Sequence, residues 1–594
     1  NFKHMKNWIF FIFLIISQVS YGQNDVVLAE NYYREGSYKK AAQVYKVLVK
    51  KNPYNTTYFK RLITCYQETS QFKIAENLLK ERLSENPNRP YLNVELGYNY
   101  EKQHLQKIAK PYYEKAILSI EKHPNFGGYI ARLFKQNNRL EYAIIAYKKT
   151  MQHNPNANYN FQIAQIYGEK GAFEKMFQSY IDLVDTHENY LKIVQRYTSK
   201  YITGNPENNN NLLFKKVLIR KSVGNPKDAW NQLLSWLFIQ QKEYEKALVQ
   251  EKALFRRNPK YLSNSIKLGH IAFENEAFQI ARQCFNFTLE NTPFLEEKLN
   301  AILFNIKIDI ATKQPAVEEK FETVFSNYGK TNVTLKLQME YADYLTFQKK
   351  QPQKATAILI EALTISSSKF QKARLKLKLG DVAVFTGKFN KALIYFSQVQ
   401  TRIKNHPLAQ EARFKVAQTS YFKNDFKWAL AQLKVLKAAT TQLIANDALD
   451  LFLIISDNQP KDSLPSGLAL YAKADLLVYQ HKNRQAIDSL QAVLVKFKGR
   501  NIEDEALYKQ ALLFVKTTQF EKAIANYAKI ISLDKEGILV DDSLYQLAEL
   551  HKNQLNNPEK ASEYYQKIIF DHSSSIYLVD ARKKYRKLRG DTVQ

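Results

Sequence analysis

Gly36-Ser37-Tyr38-Lys39-Lys40-Ala41-Ala42-Gln43-Val44-Tyr45 reads as a tight turn running into an amphipathic helix, and its pattern returns at a fixed interval. Ala41, Ala75, Ala109 and Ala143 stand 34 residues apart three times running. The apolar residues around each alanine keep the same columns. The first unit has Leu28, Ala29 and Tyr32 before the turn and Tyr45 and Leu48 after it; the second has Leu62, Ile63, Tyr66, Phe72 and Leu79. The third has Leu96, Gly97, Tyr100 and Tyr113, the fourth Ile130, Ala131, Phe134, Leu140 and Tyr147. Steps of three and four place each set on one helix face. A period of this length without strand alternation is the mark of stacked helical hairpins. Small residues at two columns let the paired helices approach closely, and aromatic residues at three others fill the space between hairpins.

The register persists with interruptions. Ile163, Ala164, Tyr167, Gly171, Phe173 and Tyr180 form a fifth unit with Met176 at the alanine column. Further units centre on Ala247, Ala281, Ala392, Ala429 and Ala523, with weaker ones at Ala355, Ala486 and Ala561. Residues 184–233, 294–334 and 437–470 lose the register, and Thr203-Gly204-Asn205-Pro206 and Leu464-Pro465-Ser466-Gly467 are turn-forming. These stretches read as divergent hairpins joined by longer loops, with soft boundaries near 205 and 335. Glycine is scarce, 17 residues in 594, well below the usual share of about 7 per cent. That scarcity suits a helical array, in which each hairpin is stabilised by its neighbours rather than by one central core.

These columns resemble the tetratricopeptide repeat family. The resemblance implies an all-α α-solenoid of helix-turn-helix repeats wound as a right-handed superhelix, with about ten clear and three degenerate repeats. The division expected is a leader over 1–22, an N-terminal array of five repeats over 23–183, an irregular helical segment over 184–233, central repeats and a divergent hairpin over 234–334, a C-terminal array over 335–570 and a basic capping helix over 571–594. In this family the first helix of each hairpin lines the concave face, through positions two, five, nine and twelve of the repeat. On this register those positions select Tyr33, Lys60, Gln67, Tyr91, Tyr98, Arg132, Lys135, Phe161 and Gln165 as partner-binding candidates. The mixture suits an extended acidic or mixed protein segment. No repeat pairs lysine at position five with asparagine at nine, so the family's carboxylate clamp for chaperone C-termini is not expected.

Lys6 and the nine apolar residues Trp8–Ile16, followed by Ser20, Gly22 and Gln23, have the form of a secretory leader. Nine residues are too few to span a bilayer, and no other stretch is long and apolar enough, so no transmembrane segment is expected in the mature chain. Export is expected, to the periplasm or the periplasmic face of the outer membrane, the alternative being an interfacial anchor. The two cysteines, Cys65 and Cys284, fall in distant units and are expected to be separate buried thiols.

The chain carries 87 Lys and Arg against 57 Asp and Glu, a formal charge of +30. In an exported protein the available polyanions are envelope polymers and lipid headgroups, so no nucleic acid partner is expected; the alternative is a general lysine bias on solvated helix faces. The cations concentrate once, at Arg582, Lys583, Lys584, Arg586, Lys587 and Arg589, around an apolar stripe of Leu578, Ala581, Tyr585 and Leu588. Such a helix caps a solenoid end, and it also suits contact with an anionic envelope surface.

The segments Glu505-Ala506-Leu507-Tyr508, Phe520-Glu521-Lys522-Ala523 and His572-Ser573-Ser574-Ser575-Ile576 with Asp580-Ala581-Arg582 resemble repeats of bacterial envelope proteins of the BamD and YbgF type. His406-Pro407-Leu408 with Glu411-Ala412-Arg413 has the same form. The resemblance implies an envelope scaffold that docks other proteins, although no lipid-anchor cysteine follows the leader.

Catalytic signatures are missing from the sequence. The histidines are scattered without metal-binding spacing, and there is neither a phosphate loop nor a serine elbow. No enzyme activity, metal or cofactor is expected. The carboxylates Glu503, Asp504 and Glu505, and Asp541 and Asp542, are placed at helix starts, where they oppose the dipole. The leading expectation is an exported scaffold that binds envelope proteins or extended segments in outer-membrane assembly, secretion or wall remodelling. A polyanion or membrane-surface binder is the alternative.

Overall fold

A computed structural model describes residues 25–436, 442–459 and 466–591. The leader expected over 1–22, part of the loose stretch 437–470 and the last three residues lie outside them. All regular structure among the described residues is helical, without a strand. The chain is the expected all-α array of stacked hairpins. It divides into two compact units, residues 1–259 and 260–594.

In unit 1 the hairpins are α1 (25–34) with α2 (Tyr38–Lys51), α3 (Thr56–Glu68) with α4 (Phe72–Glu85), α5 (Leu92–Glu101) with α6 (Gln106–Leu118), α7 (Gly127–Gln136) with α8 (Leu140–His153), and α9 (Asn160–Glu169) with α10 (Phe173–Thr186). Then come α11 (Leu191–Thr198), α12 (Asn209–Gly224), α13 (Asp228–Gln240) and α14 (Tyr244–Arg257). The turn inside each hairpin explains the period. Gly36, Ser70, His104 and Asn138 all have φ between 56° and 75° and stand 34 residues apart, and Gly171 follows with φ 71°. One residue further on, the amide of Gln71, Leu105 or Arg139 donates to the carbonyl of Tyr66, Tyr100 or Phe134 at 2.7–3.0 Å. This is the Schellman closure, which caps the last carbonyls of the first helix. Five residues after each of Gly36, Ser70, His104 and Asn138 comes the alanine column, and Ala41, Ala75, Ala109 and Ala143 are each at most 2 % exposed.

Between α11 and α12 the asparagine-rich loop replaces that turn. Its reason is Asn211, fully buried, whose Nδ2 donates to the carbonyls of Thr203 and Asn205 at 2.8 Å while its Oδ1 accepts from the Thr203 amide at 3.1 Å.

In unit 2 the helices are α15 (Leu262–Glu274), α16 (Phe278–Asn291), α17 (Leu295–Ala311), α18 (Val317–Tyr328), α19 (Leu335–Asp343) continued by a π-turn at Tyr344–Gln348, α20 (Pro352–Ile365), α21 (Lys369–Phe385), α22 (Phe389–Arg402), α23 (Pro407–Phe422) and α24 (Phe426–Leu436). They continue with α25 (Gln442–Asp457), α26 (Leu468–Tyr479), α27 (Asn483–Lys496), α28 (Ile502–Lys516), α29 (Phe520–Leu533), α30 (Val540–Asn553), α31 (Pro558–Asp571) and α32 (Leu578–Leu588). Here the left-handed turn residues Glu276, Lys313, Lys350, Gly387 and Asn424 stand 37 apart, as do His481 and Thr518. The extra residues lengthen the first helices: α17 and α21 have 17 residues and α23 has 16, where α5, α7 and α9 have 10. The stretch 294–334, without register at a 34-residue period, is the hairpin α17–α18, with Val317 buried near the alanine column. Helix α25 has no hairpin partner of its own and lengthens the step from Asn424 to His481.

Cys65 and Cys284 are both buried, and neither is in a disulfide. Burial pushes the Cys65 thiol up to about 12, so it is inert as a nucleophile.

Candidate functional site

The first helices of unit 1, with Tyr91 just before α5, carry the sequence-selected residues in three settings. Tyr98, Phe161 and Gln165 are half-buried, and Arg132 is exposed with its guanidinium 5.6 Å above the Tyr129 ring. Phe161 meets Tyr197 edge-on at 4.8 Å, and Lys102 lies 5.8 Å over the Tyr98 ring. Tyr33 is half-buried under the Arg61 guanidinium at 4.0 Å, and Arg61 in turn reaches Glu30 at 3.1 Å.

Gln67 and Tyr91 are buried. Gln67 is a core side chain whose Nε2 has no hydrogen-bond partner. Tyr91 is wedged between Phe126 and Tyr129, with ring centres 5.8 and 4.9 Å away. Lys60 and Lys135 are engaged by neighbouring repeats. Lys60 donates to Gln136 Oε1 at 2.5 Å and lies 3.5 Å from Glu95, and Lys135 reaches Glu169 at 2.8 Å. The Lys60–Gln136 bond joins α3 to α7 past α5. It gathers Lys60, Tyr91, Tyr129 and, beside Tyr129, Arg132 at one place on the first-helix side.

Those lysine contacts belong to a wider device. Oppositely charged residues one repeat apart pair between successive first helices. In unit 1, Glu68 pairs with Lys102 at 2.7 Å, besides Lys60–Glu95 and Lys135–Glu169. In unit 2 the pairs are Lys307–Glu340 at 3.1 Å, Asp343–Lys378, Asp381–Lys415 at 2.7 Å, Asp475–Lys509 at 3.0 Å and Glu549–Lys584 at 2.7 Å. Each partly exposed pair contributes only a few tenths to about 1 kcal/mol. Their structural effect is to fix the stagger of neighbouring hairpins and to remove these lysines from the supply of free cations. The signal for them, opposite charges 33 to 35 residues apart, becomes visible only once the repeat register is known.

Helix α32 shows the same partition. Lys584 is tied to Glu549, Asp580 and the Tyr545 hydroxyl at 2.7–2.8 Å, and Arg589 pairs with Asp591 at 2.7 Å. Arg582, Lys583, Arg586 and Lys587 are exposed and have no side-chain acceptor among the described residues. The first turns of α28 and α30 hold Glu503, Asp504 and Glu505, and Asp541 and Asp542. Burial and the neighbouring Asp504 push Glu505 up to about 8.

Among the described residues, no group of three His, Cys, Asp or Glu side chains is placed to hold a metal ion, and no helix is long and apolar enough to cross a membrane.

Helical hairpins closed by left-handed turns and packed through an alanine column define an all-α array of helix-turn-helix repeats. Residues 471–538 and 542–575, spanning most of α26 through α31, match models of the tetratricopeptide repeat. The sequence matches no curated protein. Solved structures similar to the chain include Naa15/Naa10 bound to HypK-THB, at 12% identity over 96% of this chain and 94% of that one, with a TM-score of 0.27. The APC/C hetero-tetramer Cut9–Hcn1 is similar at 13% identity, covering 96% and 98%, with a TM-score of 0.24. The tetratricopeptide domain of P58(IPK) is similar at 13% identity, covering 68% and 98%, with a TM-score of 0.19.

Proposed function

We propose that the chain is a non-catalytic scaffold of the bacterial cell envelope, exported by its leader, that binds segments of other envelope proteins along the first helices of unit 1. The tetratricopeptide array carries this reading, since its repeats are built to present one helix of every hairpin to a partner. Within it, exposed Arg132 and half-buried Tyr98, Phe161 and Gln165 make no ion pairs among the described residues. Aromatic and arginine side chains of this kind dominate binding energies at interfaces. Export rests on the leader-like segment before Gln23, and the envelope setting on the resemblance of the 505–582 segments to envelope repeats.

Affinity capture from crosslinked envelope extract tests it, comparing the full chain with an Arg132→Glu/Tyr98→Ala variant. Lys60 and Lys135 are left intact because their reversal would break Glu95 and Glu169 contacts. A defined set of proteins that falls at least fivefold with the variant is expected; a set indifferent to it would remove the groove assignment.

A second reading has its own observation, the four unpaired cations Arg582, Lys583, Arg586 and Lys587 on α32. A helix with that basic face binds anionic lipid or polymer through a salt-sensitive attraction. Recovery of lipid or polysaccharide alone in the same capture, lost at high salt, favours this role over the scaffold.

A further inference from the structure

One pocket of unit 1 gathers charge that the fold leaves unanswered. Arg82, near the end of α4, lays its guanidinium over the Phe59 ring at 4.2 Å. Arg89, in the link from α4 to α5, lines the same pocket. Neither side chain makes a hydrogen bond or an ion pair among the described residues; Glu85 acts on Arg82 only at longer range. Burial and the Arg89 charge depress the Arg82 guanidinium, as expected for two cations held together without an anion between them.

Three other arginines of the unit are matched, Arg61 by Glu30 at 3.1 Å, Arg139 by Glu101 at 2.7 Å and Arg257 by Asp228 at 2.6 Å, whereas Arg132, outside this pocket, is exposed and has no ion pair among the described residues. Lys60, the third cation of the pocket, is matched as well, by Glu95 and Gln136. The surplus therefore belongs to Arg82 and Arg89.

Glu95 lines the same pocket and is only 8 % exposed, but its Oε1 lies 3.5 Å from Lys60 Nζ, so its charge answers Lys60 and not the two arginines. The space inside is about 20 Å³. That is a little more than one water needs, about 10–15 Å³.

We propose that this pocket takes the carboxylate of an aspartate or glutamate side chain carried by an extended protein segment. Arg82 and Arg89 donate to the carboxylate oxygens, while Glu95 stays paired with Lys60. Phe59 steadies the Arg82 guanidinium 4.2 Å from its ring centre, and a planar guanidinium suits a planar carboxylate. The pocket adjoins Lys60, Tyr91 and Tyr129, so it adds acidic-residue selection to the groove of unit 1 and rests on that reading.

The test titrates the full chain, by fluorescence anisotropy, with two labelled degenerate nonapeptide libraries. They are identical except that the central residue is Glu in one and Gln in the other. Salt is held at about 0.3 M, which screens the long-range pull of the net positive charge. The Glu library is expected to bind about tenfold more tightly, as charge-assisted hydrogen bonds allow. An Arg82→Gln/Arg89→Gln variant is expected to bind the two libraries alike. Should that variant fold poorly, Arg89→Gln alone, in the inter-hairpin link, is expected to cut the preference at least threefold. Equal binding of both libraries by the unaltered chain, or a preference that survives both variants, overturns the pocket and leaves the groove standing. No binding of either library overturns the groove reading and the pocket with it.

Discussion

Gly380→Val is expected to destabilise unit 2 by about 3 kcal/mol, the upper end of what overpacking a filled core costs. A Cβ at Gly380 would lie 2.2 Å from Cε1 and 2.5 Å from Cζ of Phe396, the ring of α22 that fills the gap left by the glycine. Phe396 is 1 % exposed and packed in the core shared by α21 to α24, so it has nowhere to swing. The small residue and the aromatic form one fitted pair, repeated in unit 1 as Gly97 against Tyr113 at 2.4 Å. Because a solenoid is stabilised by neighbour contacts, the damage should remain local. Hydrogen exchange of the α21–α24 amides is expected to accelerate by about two orders of magnitude, following 1.4 kcal/mol per decade, while unit 1 amides keep their protection. Uniform acceleration along the chain, or none, would show that the column does not hold the hairpins together.

Asp309→Ala is expected to cost about 2–3 kcal/mol, because it strands two cations at once. The carboxylate, near the end of α17, is 3 % exposed and is held by Arg282 Nη2 from α16 and Lys320 Nζ from α18, each at 2.6 Å. Arg282 and Lys320 are themselves partly exposed and can turn toward water, which keeps the loss below the 3–5 kcal/mol of a fully buried pair. Thermal unfolding should show the drop, and adding Arg282→Met should restore part of it by removing one stranded charge. Full-strength stability in the single variant would mean that the triad contributes nothing to the α16–α18 packing.

The hairpins were legible in the sequence because their tightest contacts require particular residue sizes. Ala41 to Ala143, Gly97 and the aromatics four residues beyond the alanines are constrained by close helix approach, so they repeat visibly. The hairpin α17–α18 was not, for two physical reasons. The first helices of unit 2 are longer, which stretches the period to 37, and Val317 fills by bulk the place that alanine fills elsewhere. Within the candidate site, a repeat position states which way a residue points but not what meets it there. Lys60 and Lys135 stand on first helices, where carboxylates one repeat onward engage them. Gln67 and Tyr91, selected by the same repeat positions, are buried. Arg82 and Arg89 escaped notice because they lie at the end of a second helix and in a link, outside the first-helix positions that the repeat pattern marks.

The central claim is that the first helices of unit 1 present a protein-binding face. Its most direct test is site-specific photocrosslinking in living cells, with a photoreactive residue placed in the full chain at Arg132, and separately at Lys39, exposed on the second helix α2. Position 132 is expected to give discrete crosslinks to peptide segments of particular proteins that position 39 does not give. Identical products at both positions, or lipid adducts alone at position 132, would contradict the account.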